Sequence, residues 1–485
     1  MEKLYLVFWW HMHQPFYEDP ETGVYLLPWT FLHALKDYYE MPWHFFRFPT
    51  LKANFNLVPV LLDQLEAYGA GEARDPLLEI LEKPRLSGAE KGFLSALLDL
   101  LPEPLRRREP ALFEERAPEE QREAYLRAWC GEAFRERYSQ AFAEGGPALL
   151  EAARRFVAEI PSYYRRLWEE GRLGVSLTPY YHPLLPVLLD PSSARENDPE
   201  ITLPALEPLP ETAEIQVLRA FSRFEKIFGR APQGVWPAEG AVSQATVELL
   251  SRAGARILAT DESLLWAALG EKDPLRLYRR FRLGEVVILF RDQFLSDRIG
   301  FVYQHWAPEA AVEEFLGRLR EIYETVKNPV VTVLLDGENC WEYYPENGFP
   351  FRELLYQRLS ESSWIETLTL EEVLSREDLP EEELPRLKAG SWVFGNFRKW
   401  LGHPAKNRAW ELLGQAGVLL RREGFPQRAL EYFLRAEGSD WFWWYGEGVN
   451  LPLLDRFDYL FRANLRMVYR ELGKESPPSS LEHSW

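Results

Sequence analysis

Six short apolar segments along the chain end abruptly in polar or charged residues. Continuous apolar runs of this length are typical of strands that are buried on both faces, as in a parallel sheet. We therefore predict strands at residues 4–10, 173–177, 234–236, 257–260, 286–290 and 330–335. Amphipathic helical patterns lie between them, for example at 211–228 and 309–326. Strands that alternate with helices predict an α/β fold, of which a barrel is one form.

Two regions of the chain depart from this alternation. Between residues 67 and 170 charges alternate with Leu, Ala and Phe at helical spacing, which predicts an all-helical insertion. After residue 379 strand patterns stop, and helical patterns follow at 410–422, 427–437 and 452–472. The chain therefore divides into a barrel domain at 1–379, with the insertion at about 67–170, and a C-terminal helical domain at 380–485.

Charge and composition exclude several classes of partner. The chain has 75 acidic and 56 basic residues, and its net charge of -19 repels phosphate backbones, so we expect no nucleic-acid binding. The first apolar segment is too short to span a bilayer, and we expect a cytoplasmic protein without a membrane partner.

Two cysteines exclude a disulfide framework. Many ion-forming residues and few methionines favour a thermophilic source.

Two carboxylates closely follow predicted strands. Glu239 comes three residues after the strand at 234–236, and Asp336 is the first residue after the strand at 330–335. The carboxyl ends of parallel strands meet at one rim of a barrel, which is where such folds carry their sites. Glycoside hydrolysis needs two carboxyl groups across the scissile bond. The alternative is that each carboxylate only caps a helix or forms an ion pair in a loop.

Histidines supply a second candidate group. His11 and His13 alternate on the first predicted strand, so their imidazoles point to one face. With Asp336 or Asp261 they would form a zinc site; without a metal they would hold sugar hydroxyls as neutral donors. His182 lacks a metal-ligand spacing to another histidine, and we expect a structural or hydroxyl-binding role for it. The sequence has no nucleophile elbow and no phosphate-binding glycine motif, which disfavours acyl transfer and nucleotide chemistry.

Aromatic residues crowd the same segments. They include Trp236, Trp341 and the run from Trp441 to Tyr445. An aromatic face matches the apolar CH face of a sugar, and carboxylates or amides match its polar edge. Packing between domains is the alternative for Trp443 and Trp444.

These segments resemble glycoside hydrolase family 57. Five stretches look like the signature regions of that family and follow each other in its order: residues 11–15, 178–183, 234–240, 335–339 and 402–410. Further stretches at 55–59, 259–262, 291–297 and 437–443 match as well, so the resemblance covers nearly the whole chain. It implies an incomplete (β/α)7 barrel followed by a C-terminal α-helical domain. It also implies a retaining double displacement on an α-glucan, with no cofactor and no metal.

The resemblance also assigns residues. It implies that Glu239 is the nucleophile and Asp336 the acid/base. The substrate-binding residues that it implies are His11, His13, Trp236, His182, Asp292, Trp341, His403, Trp410, Asp440 and Trp441. The chain has Gly174 where the family usually has Glu, which removes an expected contact to substrate, and Gln293 where related members often have His.

The predicted function is hydrolysis of α-1,4 or α-1,6 glucosidic bonds, or both, as in α-amylases and amylopullulanases. A 4-α-glucanotransferase is the close alternative, because it differs only in whether water or a sugar hydroxyl reaches the intermediate. A zinc-dependent carbohydrate enzyme and a non-catalytic glycan-binding protein are the alternatives from other classes. No oligomeric state is predicted.

Overall fold

A sheet of ten strands organises the computed structural model, which describes residues 2–114 and 116–474. The strands are β1 Leu4–Met12, β2 Ala53–Leu57, β3 Leu173–Leu177, β4 Gly234–Val235, β5 Ile257–Asp261, β6 Arg280–Leu283, β7 Val286–Arg291, β8 Val330–Asp336, β9 Ile365–Thr367 and β10 Glu381–Glu383. Seven of them are parallel and adjacent, in the order β8-β1-β2-β3-β4-β5-β7. The other three extend this set: β6 runs antiparallel to β7, β10 pairs with β6, and β9 pairs with the start of β1.

The two end strands, β7 and β8, approach each other without a regular ladder among the described residues. The backbone N–H of Asp292 donates to the carbonyl of Thr332 at 2.9 Å, and the Arg291 side chain donates to the carbonyl of Leu334 at 2.8 Å. The seven parallel strands therefore form an incomplete barrel, as predicted.

Side chains of β1 alternate between two hydrophobic cores. Tyr5, Val7 and Trp9 point into the barrel, where they pack with inward residues of the other strands. Leu4, Leu6, Phe8 and Trp10 point outward and pack under the helices. Because successive residues of a strand face opposite sides, His11 continues the inward row at the carboxyl end of β1.

Helices cover the barrel and fill the two predicted helical regions. Between β2 and β3 they are Pro59–Gly69, Pro76–Glu82, Gly88–Leu100, Glu103–Arg106, Pro118–Trp129, Glu132–Arg137, Ser139–Glu144 and Gly146–Glu169. Elsewhere on the barrel they are Trp29–His33, Glu40–Arg47, Leu185–Leu189, Pro210–Phe228, Gln244–Ala253, Glu262–Leu269, Gln293–Asp297, Pro308–Thr325, Phe349–Glu361 and Leu370–Ser375. The C-terminal helices are Pro404–Arg422, Gln427–Ala436, Ser439–Trp443 and Asp455–Glu471. No helix in these described ranges is long and apolar enough to cross a membrane.

All six predicted strands are present, and four others were not predicted: β2, β6, β9 and β10. β10 lies just past residue 379, where no further strand was expected, because its pairing with β6 extends the sheet beyond that point. The division into domains at residue 379 stays a prediction, and residues 475–485 of the predicted helical domain lie outside the described residues.

The C-terminal helices contact the barrel through a buried carboxyl group. Glu437 accepts hydrogen bonds from the Thr212 hydroxyl and, at 2.9 Å, from the Gln216 amide, both on the helix Pro210–Phe228. Burial raises the pKa of Glu437 to about 8, although both hydrogen bonds favour its charged form.

Glu437→Gln is expected to raise the free energy of unfolding at pH 8 by at least about 1 kcal/mol. The folded state holds the proton up to about pH 8, whereas an unfolded Glu loses it near pH 4.5, so stability falls as pH rises between these values. The variant removes that fall, while its amide still accepts from Thr212. Urea unfolding at pH 5 and pH 8 measures the effect; a gain of equal size at both pH values would contradict it.

Candidate functional site

A cleft of about 510 Å³ opens at the carboxyl ends of the parallel strands. It brings together six residues that the sequence predicts for the site, namely His11, His13, His182, Glu239, Asp336 and, from the C-terminal region, Asp440. Residues at or just after the carboxyl ends of β1, β3, β4 and β8 thus meet in one space, which we call the catalytic cleft because it holds both predicted catalytic carboxyl groups.

Glu239 is held in the cleft by its backbone and by two donors. It lies in the turn after β4 with φ 59° and ψ 23°, a left-handed conformation that is unfavourable for a residue with a Cβ atom. The Trp392 indole donates to Oε2 at 3.0 Å, and the Ser439 hydroxyl lies 3.2 Å from Oε1. Burial raises the pKa of Glu239 to about 8, and the nearby charge of Asp440 adds to the rise.

Asp336 is the last residue of β8 and lies opposite His11 of β1 in the parallel register. Its Oδ2 accepts a hydrogen bond of 3.4 Å from the Asn339 amide. Burial raises the pKa of Asp336 to about 6, and the hydrogen bond from Asn339 opposes this rise. A carboxyl group with this pKa keeps a usable proton close to neutral pH, which a general acid requires.

The imidazoles form one hydrogen-bonded row beside Glu239. His11 Nδ1 is 2.7 Å from Asn56 Oδ1, and His11 Nε2 is 3.1 Å from His182 Nε2. His182 Nδ1 in turn is 2.8 Å from the Ser439 hydroxyl that also reaches Glu239. Burial lowers the pKa of His11 to about 3 and that of His182 well below its usual value, so both rings are neutral at pH 7.

His13 and Asp440 form a second polar pair. His13 Nε2 lies 2.9 Å from Asp440 Oδ1, and the His13 ring stacks on His182 with centroids 3.9 Å apart. His13, His182 and Asp440 place possible metal ligands within 4.8 Å of one another. This group differs from the predicted zinc set, in which His11 and His13 would join Asp336 or Asp261. Both ring nitrogens of His182 are already hydrogen-bonded, so His182 would have to give up one of these bonds to ligate a metal.

Several predicted substrate-binding aromatics lie in the core instead of the cleft. Each of three buried indoles donates to a backbone carbonyl: Trp341 to Gly337, Trp410 to Trp400 and Trp441 to Arg435. Trp236 lies beneath His11 with ring centroids 5.2 Å apart and is also buried. These rings support the walls of the cleft, because their faces are covered by other side chains.

Asp292 and His403 also lie away from the cleft, where each caps a helix. Asp292 accepts from the backbone N–H of Leu295 at 2.9 Å at the start of Gln293–Asp297. His403 Nδ1 accepts from the backbone N–H of Ala405 at 3.2 Å at the start of Pro404–Arg422. These capping bonds give each residue a structural role, and their contact with substrate stays a prediction.

Gly174 does not line the catalytic cleft. It lies within β3, and a Cβ atom there would come within 2.1 Å of Asn54 Oδ1. Asn54 thus occupies the space beside Gly174, and the expectation that Gly174 removes a contact to substrate stays a prediction.

The structure adds residues that sequence reasoning missed. Trp392, the donor to Glu239, comes from a loop after the last parallel strand, and no strand pattern precedes it. Glu338 lies in the cleft with Oε1 accepting from the backbone N–H of His13 at 3.2 Å, while its buried Oε2 has no partner among the described residues. Glu338 stands only two residues after Asp336, and this short spacing in the sequence could have predicted that it lies in the cleft. Burial raises the pKa of Glu338 well above its usual value.

The run of aromatics from Trp441 divides between core and cleft. Trp441 and Phe442 are buried, whereas Trp443 and Trp444 line the catalytic cleft. Trp29 and Trp129 line the cleft as well, and Trp129 comes from the helical insertion. Carboxyl groups, amides and aromatic rings thus surround one space, which is the chemistry that a sugar ring requires.

Comparison with known proteins agrees with this geometry. The profile of glycosyl hydrolase family 57 matches residues 7–388. A search of curated protein sequences found no match.

Solved structures with the same fold include three enzymes. A family 57 branching enzyme from Thermococcus kodakaraensis superposes with a TM-score of 0.65 at 16% identity, covering 99% of this chain and 94% of its own. An α-amylase from Thermotoga maritima gives 0.61 at 16% identity, with 99% and 95% covered. A 4-α-glucanotransferase from Thermococcus litoralis gives 0.59 at 16% identity, with 97% of this chain and 60% of the transferase covered. At these identities the likeness shows the fold alone.

Proposed function

Because the chain belongs to glycosyl hydrolase family 57, and is thus a glycoside hydrolase or transferase, we propose that it cleaves α-glucans by a retaining double displacement. Glu239 is the proposed nucleophile and Asp336 the proposed acid/base. The observation that carries the proposal is that two buried carboxyl groups with raised pKa values line one cleft at the carboxyl ends of the strands.

The reactive form of the pair carries one proton, which is on Asp336, and leaves Glu239 ionised; because the pKa of Glu239 lies above that of Asp336, it is the minor of the two singly protonated forms. In the first step this ionised Glu239 attacks the anomeric carbon, and the bond to the leaving oxygen breaks. Asp336 gives that oxygen its proton. In the second step Asp336, now ionised, takes a proton from water or from a sugar hydroxyl as this attacks the glycosyl-enzyme and releases Glu239. The Trp392 indole donates to Glu239 and holds the carboxylate in place for the attack, and the Ser439 oxygen lies against its other carboxyl oxygen.

The other groups of the cleft fit the hydroxyls of the sugar ring. Hydrogen-bond donors and acceptors for these hydroxyls come from two places: the hydrogen-bonded pair His13 and Asp440, and the Oε2 atom of Glu338, which has no partner among the described residues. Trp443 and Trp444 offer partly exposed rings for stacking. The proposed bonds are α-1,4, α-1,6 or both, since the structural neighbours include an amylase, a branching enzyme and a glucanotransferase.

Product analysis tests this proposal. Purified protein is incubated with maltoheptaose, amylose and pullulan, and the products are separated by size while proton NMR follows the first anomer formed. Shorter sugars with the α-anomer formed first are expected, because two displacements retain configuration. First formation of the β-anomer would overturn the double displacement, and absence of any product would favour the non-catalytic alternative.

The pH dependence of kcat/KM is expected to be bell-shaped, with limbs near pH 6 and pH 8. Below the lower limb both carboxyl groups are protonated and no nucleophile exists; above the upper limb both are ionised and no acid exists. The limbs belong to the coupled pair and not to either residue alone. Initial rates on a chromogenic maltooligosaccharide between about pH 4 and pH 10 measure them. Limbs near the usual carboxyl value of about 4 would contradict the burial argument.

A further inference from the structure

A second cavity, of about 660 Å³, lies at the incomplete side of the barrel, and we call it the seam cavity. Its walls come from the helices Glu262–Leu269 and Pro308–Thr325 and from the segments before β6 and after β7. Asp292, which lines it, is also the residue whose backbone N–H donates to β8 across the gap in the barrel. Among the described residues, the seam cavity and the catalytic cleft have no lining residue in common. The seam cavity is therefore a separate space, and its volume is within the range of about 300–1,000 Å³ that is typical of ligand sites.

A glycine in the middle of a helix keeps part of this cavity open. Gly317 lies inside the helix Pro308–Thr325 and lines the seam cavity. A Cβ atom at this position would meet nothing within 4 Å outside its own stretch of helix, so packing does not require a glycine here. Glycine weakens a helix interior relative to alanine. Gly317 thus widens the cavity at the expense of helix stability, which favours a ligand site over an accidental gap.

Two aromatic rings form opposite parts of the wall. The Trp266 indole donates to Glu262 Oε1 at 3.4 Å, and this bond orients the ring beside the cavity. Phe294 also lines the cavity and is 45% exposed. The guanidinium of Arg318 lies 5.8 Å from the centroid of the Phe294 ring. Rings with polar groups at their edges match the apolar faces and hydroxyl edges of a sugar.

A buried polar pair faces the same space. Asp292 is only 2% exposed and Tyr278 only 3% exposed, yet both line the seam cavity. The Tyr278 hydroxyl donates to Asp292 Oδ2 at 3.2 Å, and the backbone N–H of Leu295 donates to Oδ1 at 2.9 Å. Because each carboxylate oxygen has two lone pairs, Asp292 still has acceptor capacity for the hydroxyl of a ligand.

The charges around the cavity suit a neutral ligand. Four acidic and two basic side chains line it, which disfavours an anion such as a phosphate. Most of these charges are held in ion pairs: Lys272 with Glu262 at 4.0 Å, Arg318 with Glu321 at 2.8 Å, and Glu314 with Arg298 at 3.0 Å. Paired carboxylates and guanidinium groups still accept from and donate to hydroxyls. A glycan fits this combination of paired charges and aromatic rings.

We propose that the seam cavity is a second, non-catalytic binding site for an α-glucan chain, which holds a polymeric substrate on the enzyme while the catalytic cleft acts on another part of it. The cavity itself indicates a glycan, and the choice of an α-glucan rests on the proposed function. No bond is made or broken at this site.

The length of the substrate decides whether the second site contributes. One amylose molecule is long enough to occupy both spaces, and its second contact is then intramolecular, which raises the apparent affinity. A maltosyl group is too short to do so. The seam cavity is therefore expected to affect KM for a polymer and to leave the chemistry of a short substrate unchanged.

The first experiment measures binding without turnover. Glu239→Ala is run in native gels that contain increasing soluble amylose, and its retardation gives an apparent Kd. Adding Trp266→Ala is expected to raise this Kd about three- to tenfold, the size of one lost stacking contact. Adding Gly317→Leu is expected to raise it at least as much, because the new side chain enters the open space while leucine favours the helix.

Gly317→Ala is the matched control for Gly317→Leu. It also replaces the glycine and favours the helix, but it adds only one carbon to the cavity. It is expected to bind amylose as tightly as Glu239→Ala alone and to unfold at a slightly higher temperature.

The second experiment uses the same substitutions with Glu239 intact. Trp266→Ala and Gly317→Leu are expected to raise KM for amylose about three- to tenfold, with kcat within about twofold of wild type. Their kcat/KM on α-maltosyl fluoride, followed by release of fluoride, is expected to stay within about twofold of wild type. This difference between the two substrates separates a lost binding site from a damaged fold.

Two results would overturn this inference alone. One is unchanged amylose binding in both Trp266→Ala and Gly317→Leu. The other is an equal loss of activity on amylose and on α-maltosyl fluoride, which would place the defect in the catalytic cleft. A wild type that releases no fluoride would overturn the proposed function instead, and the gels with Glu239→Ala would still decide whether the seam cavity binds the glucan.

Discussion

Glu239→Ala is expected to lower kcat/KM on maltoheptaose by about 10⁴-fold or more, because no glycosyl-enzyme forms without the carboxylate. Other groups of the cleft still bind substrate, so KM is expected to change much less than kcat. Steady-state kinetics on purified variants measures both constants. Residual activity within about tenfold of wild type would remove Glu239 from the mechanism.

The reaction of Glu239→Ala with azide distinguishes a catalytic role of Glu239 from a purely structural one, because it yields a specific product. In Glu239→Ala the small anion enters the space left by the carboxylate and attacks α-maltosyl fluoride from that face. One displacement inverts configuration, so the expected product is the β-maltosyl azide. NMR of the product decides between this outcome and an α-azide, which would place the nucleophile elsewhere.

Glu437→Gln is the matched control for Glu239→Ala. Burial raises the pKa of both carboxyl groups to about 8, yet Glu437 does not line the catalytic cleft. A raised pKa alone does not make a carboxyl group catalytic, since buried structural groups show it too. We therefore expect wild-type kinetics for Glu437→Gln, together with the gain in stability described above.

The sequence pattern correctly predicted those strands that are apolar on both faces. β2 was missed because it carries Asn54 and Asn56 inside the barrel. Asn54 donates at 3.0 Å to the carbonyls of Phe8 and Leu368, and Asn56 reaches His11. β6 and β10 were missed because they are short strands with charged side chains, such as Arg282 and Glu381, that pair with each other. An apolar pattern cannot reveal strands whose polar groups are satisfied by distant partners.

The site was predictable only where chain position fixes geometry. Glu239 and Asp336 follow strands of one barrel, so they had to meet at its rim. Trp392 and Ser439 reach Glu239 from 153 and 200 residues away, and nothing local in the chain indicates those contacts. For Trp410 the residue type suggested a contact with sugar, whereas its ring lies in the core and stacks on Phe442 with the two centroids 3.9 Å apart. A tryptophan in a signature region supports the fold as readily as it binds a sugar.

Asp336→Ala is expected to lower kcat on amylose by about 10³-fold or more, because the alkoxide of a sugar leaves poorly without a proton. Fluoride needs no proton to leave, so α-maltosyl fluoride still loads Glu239. Water then attacks slowly without its base, and the glycosyl-enzyme accumulates. The expected result is a burst of fluoride equal to the enzyme concentration, followed by slow turnover.

Azide distinguishes the two carboxyl groups within this one experiment. It needs no general base, so it is expected to speed the slow phase of Asp336→Ala and to give the α-azide, the product of two inversions. Asp75→Asn is the matched control, since burial raises the pKa of Asp75 to about 6 as well, but this residue caps the helix Pro76–Glu82 far from Asp336 in the chain. A β-azide from Asp336→Ala would contradict the assignment, because it would show a single displacement and would give Asp336 the role of nucleophile. A burst that also appears in Asp75→Asn would contradict it as well, because loss of the acid/base would then not be specific to Asp336.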